Sequence, residues 1–120
     1  PVGRDLKAAG GTPPAVGFDL NFALDKGQTE VPGFAARVTE PATGRTLDVL
    51  TTEPGLQFYT GNFLNGTNKG KGGFIYQKHA GFCLETQVYP DSIHRPEWPT
   101  PILRPGQLYR HRMRVKFGAK

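Results

Sequence analysis

A chain of 120 residues with a formal charge of +5, 16 glycines, 11 prolines and one cysteine is one domain or part of one, with room for a modest core and no internal disulfide. No apolar run approaches the roughly 18 residues of a membrane span, and no basic segment followed by an apolar stretch opens the chain as a signal peptide would, so no membrane partner is expected. Eight phenylalanines, four tyrosines and a tryptophan argue against disorder, so the abundant glycine and proline read as turns between short strands. The start at Pro1, without a methionine, fits a processed, cleaved or trimmed polypeptide.

Residues 1–15 read as a connecting loop, because Gly10-Gly11-Thr12-Pro13-Pro14 can continue neither a helix nor a central strand. Strands are expected at 17–24, 34–40, 46–53, 56–60, 82–88 and 107–117. Between the second and third, Pro41-Ala42-Thr43-Gly44-Arg45 is a hairpin signal with alternation on both sides. Glu53-Pro54-Gly55 marks a further turn. Asn65 to Gly73 reads as a mobile loop by composition, and 89–106, with five prolines, as a second long loop. No segment keeps helical periodicity for ten residues, so the fold class is all-β.

The positive charge is concentrated at the C-terminus. From Tyr109 to Phe117 basic residues occupy every second position, and Tyr109, His111, Met113, Val115 and Phe117 alternate with them. This predicts a strand with one core face and one solvated cationic face, whose charges discourage edge-to-edge pairing. With no phosphate loop and no RNA-binding aromatic signature, nucleic acid is not an expected partner. The lack of any His-x-His or Cys-x-x-Cys cluster gives no metal site.

The segment from His79 to Ser92 sets a carboxylate, Glu85, inside a strand-like run. Phe82, Leu84 and Thr86 fall on one face, and Cys83, Glu85 and Gln87 on the other. Glu85 between a cysteine and a glutamine suits a polar pocket, and a solvated surface acid is the alternative. Cys83, in an apolar strand, is expected to be a buried inert thiol, which points to a reducing, cytoplasmic compartment. Upstream, Asp19 shares a face with Asn21, opposite Phe18, Leu20 and Phe22, and could meet sugar hydroxyls or solvent. Gln57 lies in a run where amide and aromatic groups mix as carbohydrate sites require. Asp19 and Glu85 also raise a two-carboxylate glycosidase. Among the histidines, His94 sits in a proline-rich loop, His111 faces the expected core, and His79 alone stands near the glutamate in sequence.

Taken together, Gly17-Phe18-Asp19-Leu20-Asn21-Phe22, the run Pro54 to Phe63, Cys83-Leu84-Glu85-Thr86-Gln87, Pro90-Asp91-Ser92 and Leu103-Arg104-Pro105-Gly106 closely resemble the aldose 1-epimerases, or galactose mutarotases. Motif order covers nearly all of this chain but only the C-terminal third of the usual family length. The resemblance implies an antiparallel β-sandwich of the mutarotase type, with 1–120 as the C-terminal part of a single domain. It also implies interconversion of the α and β anomers of free hexoses such as galactose and glucose, with no cofactor. By the same resemblance Glu85 is the general base, while Asp19 and Gln57 bind the sugar. Two departures stand out. Leu20 replaces a histidine common after the motif aspartate, and the family's catalytic histidine belongs to motifs upstream of this chain. The implied partner is therefore an N-terminal part of the same enzyme that carries the acid. The alternative is a non-catalytic carbohydrate-binding or regulatory protein on the same fold.

Overall fold

The computed structural model describes residues 1–119. Among the described residues the chain is all-β apart from one helical turn, α1 (Val2–Asp5), and two 3-10 turns at Lys71–Gly73 and Ser92–His94. Six strands follow in order: β1 (Asp19–Ala23), β2 (Gly33–Thr39), β3 (Arg45–Thr51), β4 (Gly55–Tyr59), β5 (Cys83–Gln87) and β6 (Met113–Ala119). They form two three-stranded antiparallel sheets, ordered β1-β4-β5 and β2-β3-β6. Among the described residues no helix is long and apolar enough to cross a membrane. The chain divides into two compact units, Pro1–Phe22 with Gln57–Glu85, and Ala23–Leu56 with Thr86–Lys120.

In the second unit, β2 and β3 form the expected hairpin. Gly44 takes a φ of 72°, and the Glu40 carboxylate accepts the Ala42 and Thr43 N–H groups at 2.7 and 2.8 Å, closing the turn. Register then sorts the side chains: Val49 pairs with Val115 and Leu47 with Phe117, while Asp48 meets Arg37 on one side and Lys116 on the other. Arg37 grips Asp48 through two parallel bonds of 2.6 and 2.7 Å. Val49, Pro54 and Leu56 are buried apolar side chains of this unit. At the end of β3 the chain turns at Glu53-Pro54-Gly55, where Lys26 Nζ donates to the Gly27 and Glu53 carbonyls at 2.8 Å each and the Leu24 N–H donates to Pro54.

The first unit is built on an aromatic row. Phe18 and Phe58 lie 5.1 Å apart, and Phe58 meets Phe82 edge-on at 6.1 Å. Each such pair contributes about 0.5–1.5 kcal/mol beyond area burial.

Five expectations change. The 1–15 loop contains α1, a single turn whose Arg4 pairs with Asp5. Asn65 to Gly73, read as a mobile loop, is part of an irregular hairpin tied by the Lys69–Ile75 bridge and by bonds between Gly66 and Tyr76 and between Asn68 and Tyr76. The last strand runs from Met113 to Ala119 rather than 107–117, because its partner β3 ends at Thr51, opposite Met113, and leaves nothing for Tyr109 or His111 to pair with. Its apolar face is not a core within the described residues: Met113, Val115 and Phe117 are 51, 39 and 76% exposed. His111, expected to face a core, is exposed, with its Nε2 2.7 Å from Thr86 Oγ1.

Candidate active site on the β1-β4-β5 sheet

Three adjacent strands each carry one of the singled-out polar residues: Asp19 opens β1, Gln57 is central in β4, and Glu85 is central in β5. Gln57 Nε2 donates to Asp19 Oδ1 at 2.7 Å, so these two side chains share a face across the β1–β4 pair. The aromatic row fixes the other face. Phe18 and Phe58, the neighbours of Asp19 and Gln57, touch on that side, and Phe82 joins them. Alternation from Phe82 then carries Leu84 and Thr86 to the aromatic side, and Cys83, Glu85 and Gln87 to the side of Gln57 and Asp19.

Along β5 exposure follows this assignment, while Phe82 on the aromatic side is itself 49% exposed. Asp19 and Glu85 are exposed and Gln57 is half-buried, whereas Leu84 is half-buried and Thr86 buried. Cys83 is exposed, not buried as expected. The apolar residues beside it in sequence suggested a core position, but it stands one residue from Phe82 and two from Glu85, which puts it on the polar side.

Tyr59, two residues beyond Gln57, belongs to the same face, where its ring stacks on Phe63 at 6.4 Å and its hydroxyl accepts the Phe63 N–H at 3.0 Å. A strand spacing of about 4.8 Å sets β1 and β5 roughly 10 Å apart across β4. The face thus offers two carboxylates on outer strands, an amide between them and an aromatic pair to one side. Carboxylates and amides bind hydroxyls, and ring faces cover C–H groups.

Asp19 also borders a cavity of about 300 Å³, together with Thr12, Gly17, Asn62 and Phe63. Larger cavities of about 610 and 750 Å³ lie in the second unit and are lined by none of Asp19, Gln57 and Glu85. His79, half-buried with a φ of 62°, donates from Nδ1 to the Thr60 carbonyl at 2.7 Å. His94 is exposed and bonded to Asp91. Among the described residues no cluster of three or more His, Cys, Asp or Glu side chains is placed to hold a metal ion.

Two residues of this region escaped the sequence reading. Thr60 and Asn62 are each only 3% exposed, and both bond to the backbone of Phe18. They follow β4 in the same run as Gln57, but strand alternation stops at Tyr59 and gives no sign that they turn inward.

An all-β chain with this face has the makings of a carbohydrate-acting protein, and comparison with known families makes the assignment specific. The profile of the family described as aldose 1-epimerase matches residues 1–116. The chain belongs to the aldose 1-epimerase family. It is 57% identical to human galactose mutarotase and 54% identical to the mouse protein of that name, each over 101 residues, covering 84% of this chain and 29% of the relative. Against the aldose 1-epimerase of Escherichia coli K12 it is 41% identical over 107 residues, 87% of this chain and 30% of that protein. The chain therefore spans less than a third of the length of these curated relatives.

Proposed function

We propose that this chain is the base-bearing, C-terminal part of a cytoplasmic aldose 1-epimerase, within a single mutarotase-type sandwich domain, and that the whole enzyme interconverts the α and β anomers of free hexoses such as galactose and glucose. The observation that carries this reading is the shared face on which Gln57 meets Asp19 and on which alternation sets Glu85. Membership of the family supports it. The Glu85 carboxylate removes the proton of the C1 hydroxyl as general base, the C1–O bond to the ring oxygen breaks, and the ring oxygen takes a proton from an acid. Rotation about C1–C2 and reclosure, with acid and base exchanging roles, give the other anomer. Asp19 accepts from sugar hydroxyls, and Gln57 both contacts the sugar and holds Asp19 through its amide N–H.

The acid is a histidine carried by the N-terminal part of the same enzyme. The histidine of this chain nearest Glu85 in sequence, His79, has its Nδ1 engaged by the Thr60 carbonyl. The test is polarimetric relaxation of freshly dissolved α-galactose by the full-length enzyme and by Glu85→Gln, which keeps the shape and removes the base. A fall in kcat of about 10²–10⁴-fold in a folded variant is expected, and a kcat within a factor of about three would refute the assignment.

A further inference from the structure

Asp19 is exposed, yet the residue in front of it, Phe18, has both its N–H and its carbonyl held by buried side chains. Thr60 Oγ1 accepts the Phe18 N–H at 3.0 Å, and Asn62 Nδ2 donates to the Phe18 carbonyl at 2.9 Å. The Thr60 N–H reaches the same carbonyl at 3.1 Å. The two side chains are locked to each other, since the Thr60 hydroxyl donates to Asn62 Oδ1 at 2.7 Å. Behind them, His79 bonds back to the Thr60 and Gly61 carbonyls at 2.7 and 3.3 Å. A fully paired buried polar network of this kind rigidifies what it holds.

The segment it holds needs such support. β1 is an outer strand of its sheet, it begins only at Asp19, and only Ala15 to Phe18 separate it from the glycine- and proline-rich stretch Gly10 to Pro14. The regular part of β4 stops at Tyr59, so the bonds from Thr60 and Asn62 extend the β1 anchorage beyond the strand itself. The cavity of about 300 Å³ beside Asp19 leaves room for its side chain to shift if that anchorage fails.

We propose that Thr60 and Asn62 are positioning residues for sugar binding: by clamping the Phe18 peptide they fix where Asp19 presents its carboxylate beside Gln57. The proposal rests on Asp19 being a sugar contact, as set out above.

The experiment is steady-state mutarotation of α-galactose by the full-length enzyme, comparing Thr60→Val, Thr60→Ser, Asp19→Asn and the Thr60→Val/Asp19→Asn pair. Thr60→Val keeps the side-chain shape and removes the hydroxyl. It is expected to raise KM by about 10- to 100-fold, since small misplacements of a positioned group cost that much, with a smaller change in kcat. Thr60→Ser, which returns the hydroxyl, restores KM. In the Asp19→Asn background Thr60→Val adds no further rise, because the group it positions is already disabled. A folded Thr60→Val with unchanged KM beside an impaired Asp19→Asn would overturn the proposal, as would independent, multiplicative effects in the pair. If Thr60→Val and Asn62→Ala both fail to fold, the clamp serves stability and the positioning role is lost. An unaltered KM in Asp19→Asn locates the failure in the sugar-contact assignment instead.

Discussion

Replacing Gly17 with alanine tests the packing behind the candidate site most directly. Gly17 is buried and has a φ of +144°, a conformation that side chains rarely adopt. A methyl group there would lie 2.2 Å from Asn62 Oδ1, 2.7 Å from Thr60 Oγ1 and 2.9 Å from Asn62 Cγ. The usual escape, rotation of the opposing side chain, is closed because Asn62 is bonded to Phe18 and Thr60 at once. Backbone strain of about 1–3 kcal/mol and overpacking of about 1–3 kcal/mol then oppose the native state, offset by about 0.4–1 kcal/mol from the stiffer unfolded chain. The expected net loss is about 1–6 kcal/mol, read as a lower urea midpoint at unchanged m-value in the full-length protein. Gly81→Ala is the control, since a methyl at Gly81 meets nothing within 4 Å. If Gly17→Ala unfolds within about 0.5 kcal/mol of that control, the clamp is not packed as described.

Two further outcomes bear on charge. Arg37 holds the Asp48 carboxyl below the ordinary carboxylate range, chiefly through its hydrogen bonds, so the stability this gives is fully present above the unfolded value of about 4 and is lost as pH falls through the depressed folded value. Urea midpoints measured from pH 7 down to pH 2 should show the wild-type protein losing its advantage over Asp48→Asn in that acid window, and a constant difference would refute the linkage. Gln57→Glu would set two like charges against each other in place of the 2.7 Å amide bond to Asp19, so KM for galactose at neutral pH should rise in the variant; an unchanged KM would refute the shared face.

Much of this was legible in the sequence because hydrophobic alternation and turn chemistry are local. The hairpin at Pro41 to Arg45 and the positions of all six strands follow from period-two patterns bounded by Gly, Pro and Asn, with ends shifted by a residue or two in most cases. The same alternation paired Asp19 with Asn21 and Glu85 with Gln87, and the motif residues carried the family. What stayed hidden depends on partners far along the chain. The start of β6 is set by where β3 ends, which no property of 107–117 records. The exposure of Cys83 is decided by the side of the sheet that Phe82 shares with Phe58, 24 positions earlier. The inward turn of Thr60 and Asn62 exists only because the Phe18 peptide, more than 40 positions away, needs a donor and an acceptor.

The pairing of β3 with both β2 and β6 also sets an order of cost during folding. Thr39 and Thr46 are joined across one short turn, while Thr51 and Met113 come together only after some sixty intervening residues are brought round. Loop-closure entropy grows as the logarithm of that span, which makes the second pairing about 2 kcal/mol more expensive to initiate than the first. The hairpin is thus a near neighbour that closes early, and until β6 arrives the second edge of β3 is an unpaired template open to other chains. When β6 docks, the edge of the sheet among the described residues passes to a strand bearing Arg114 and Lys116, so the late step replaces a sticky margin with a charged one.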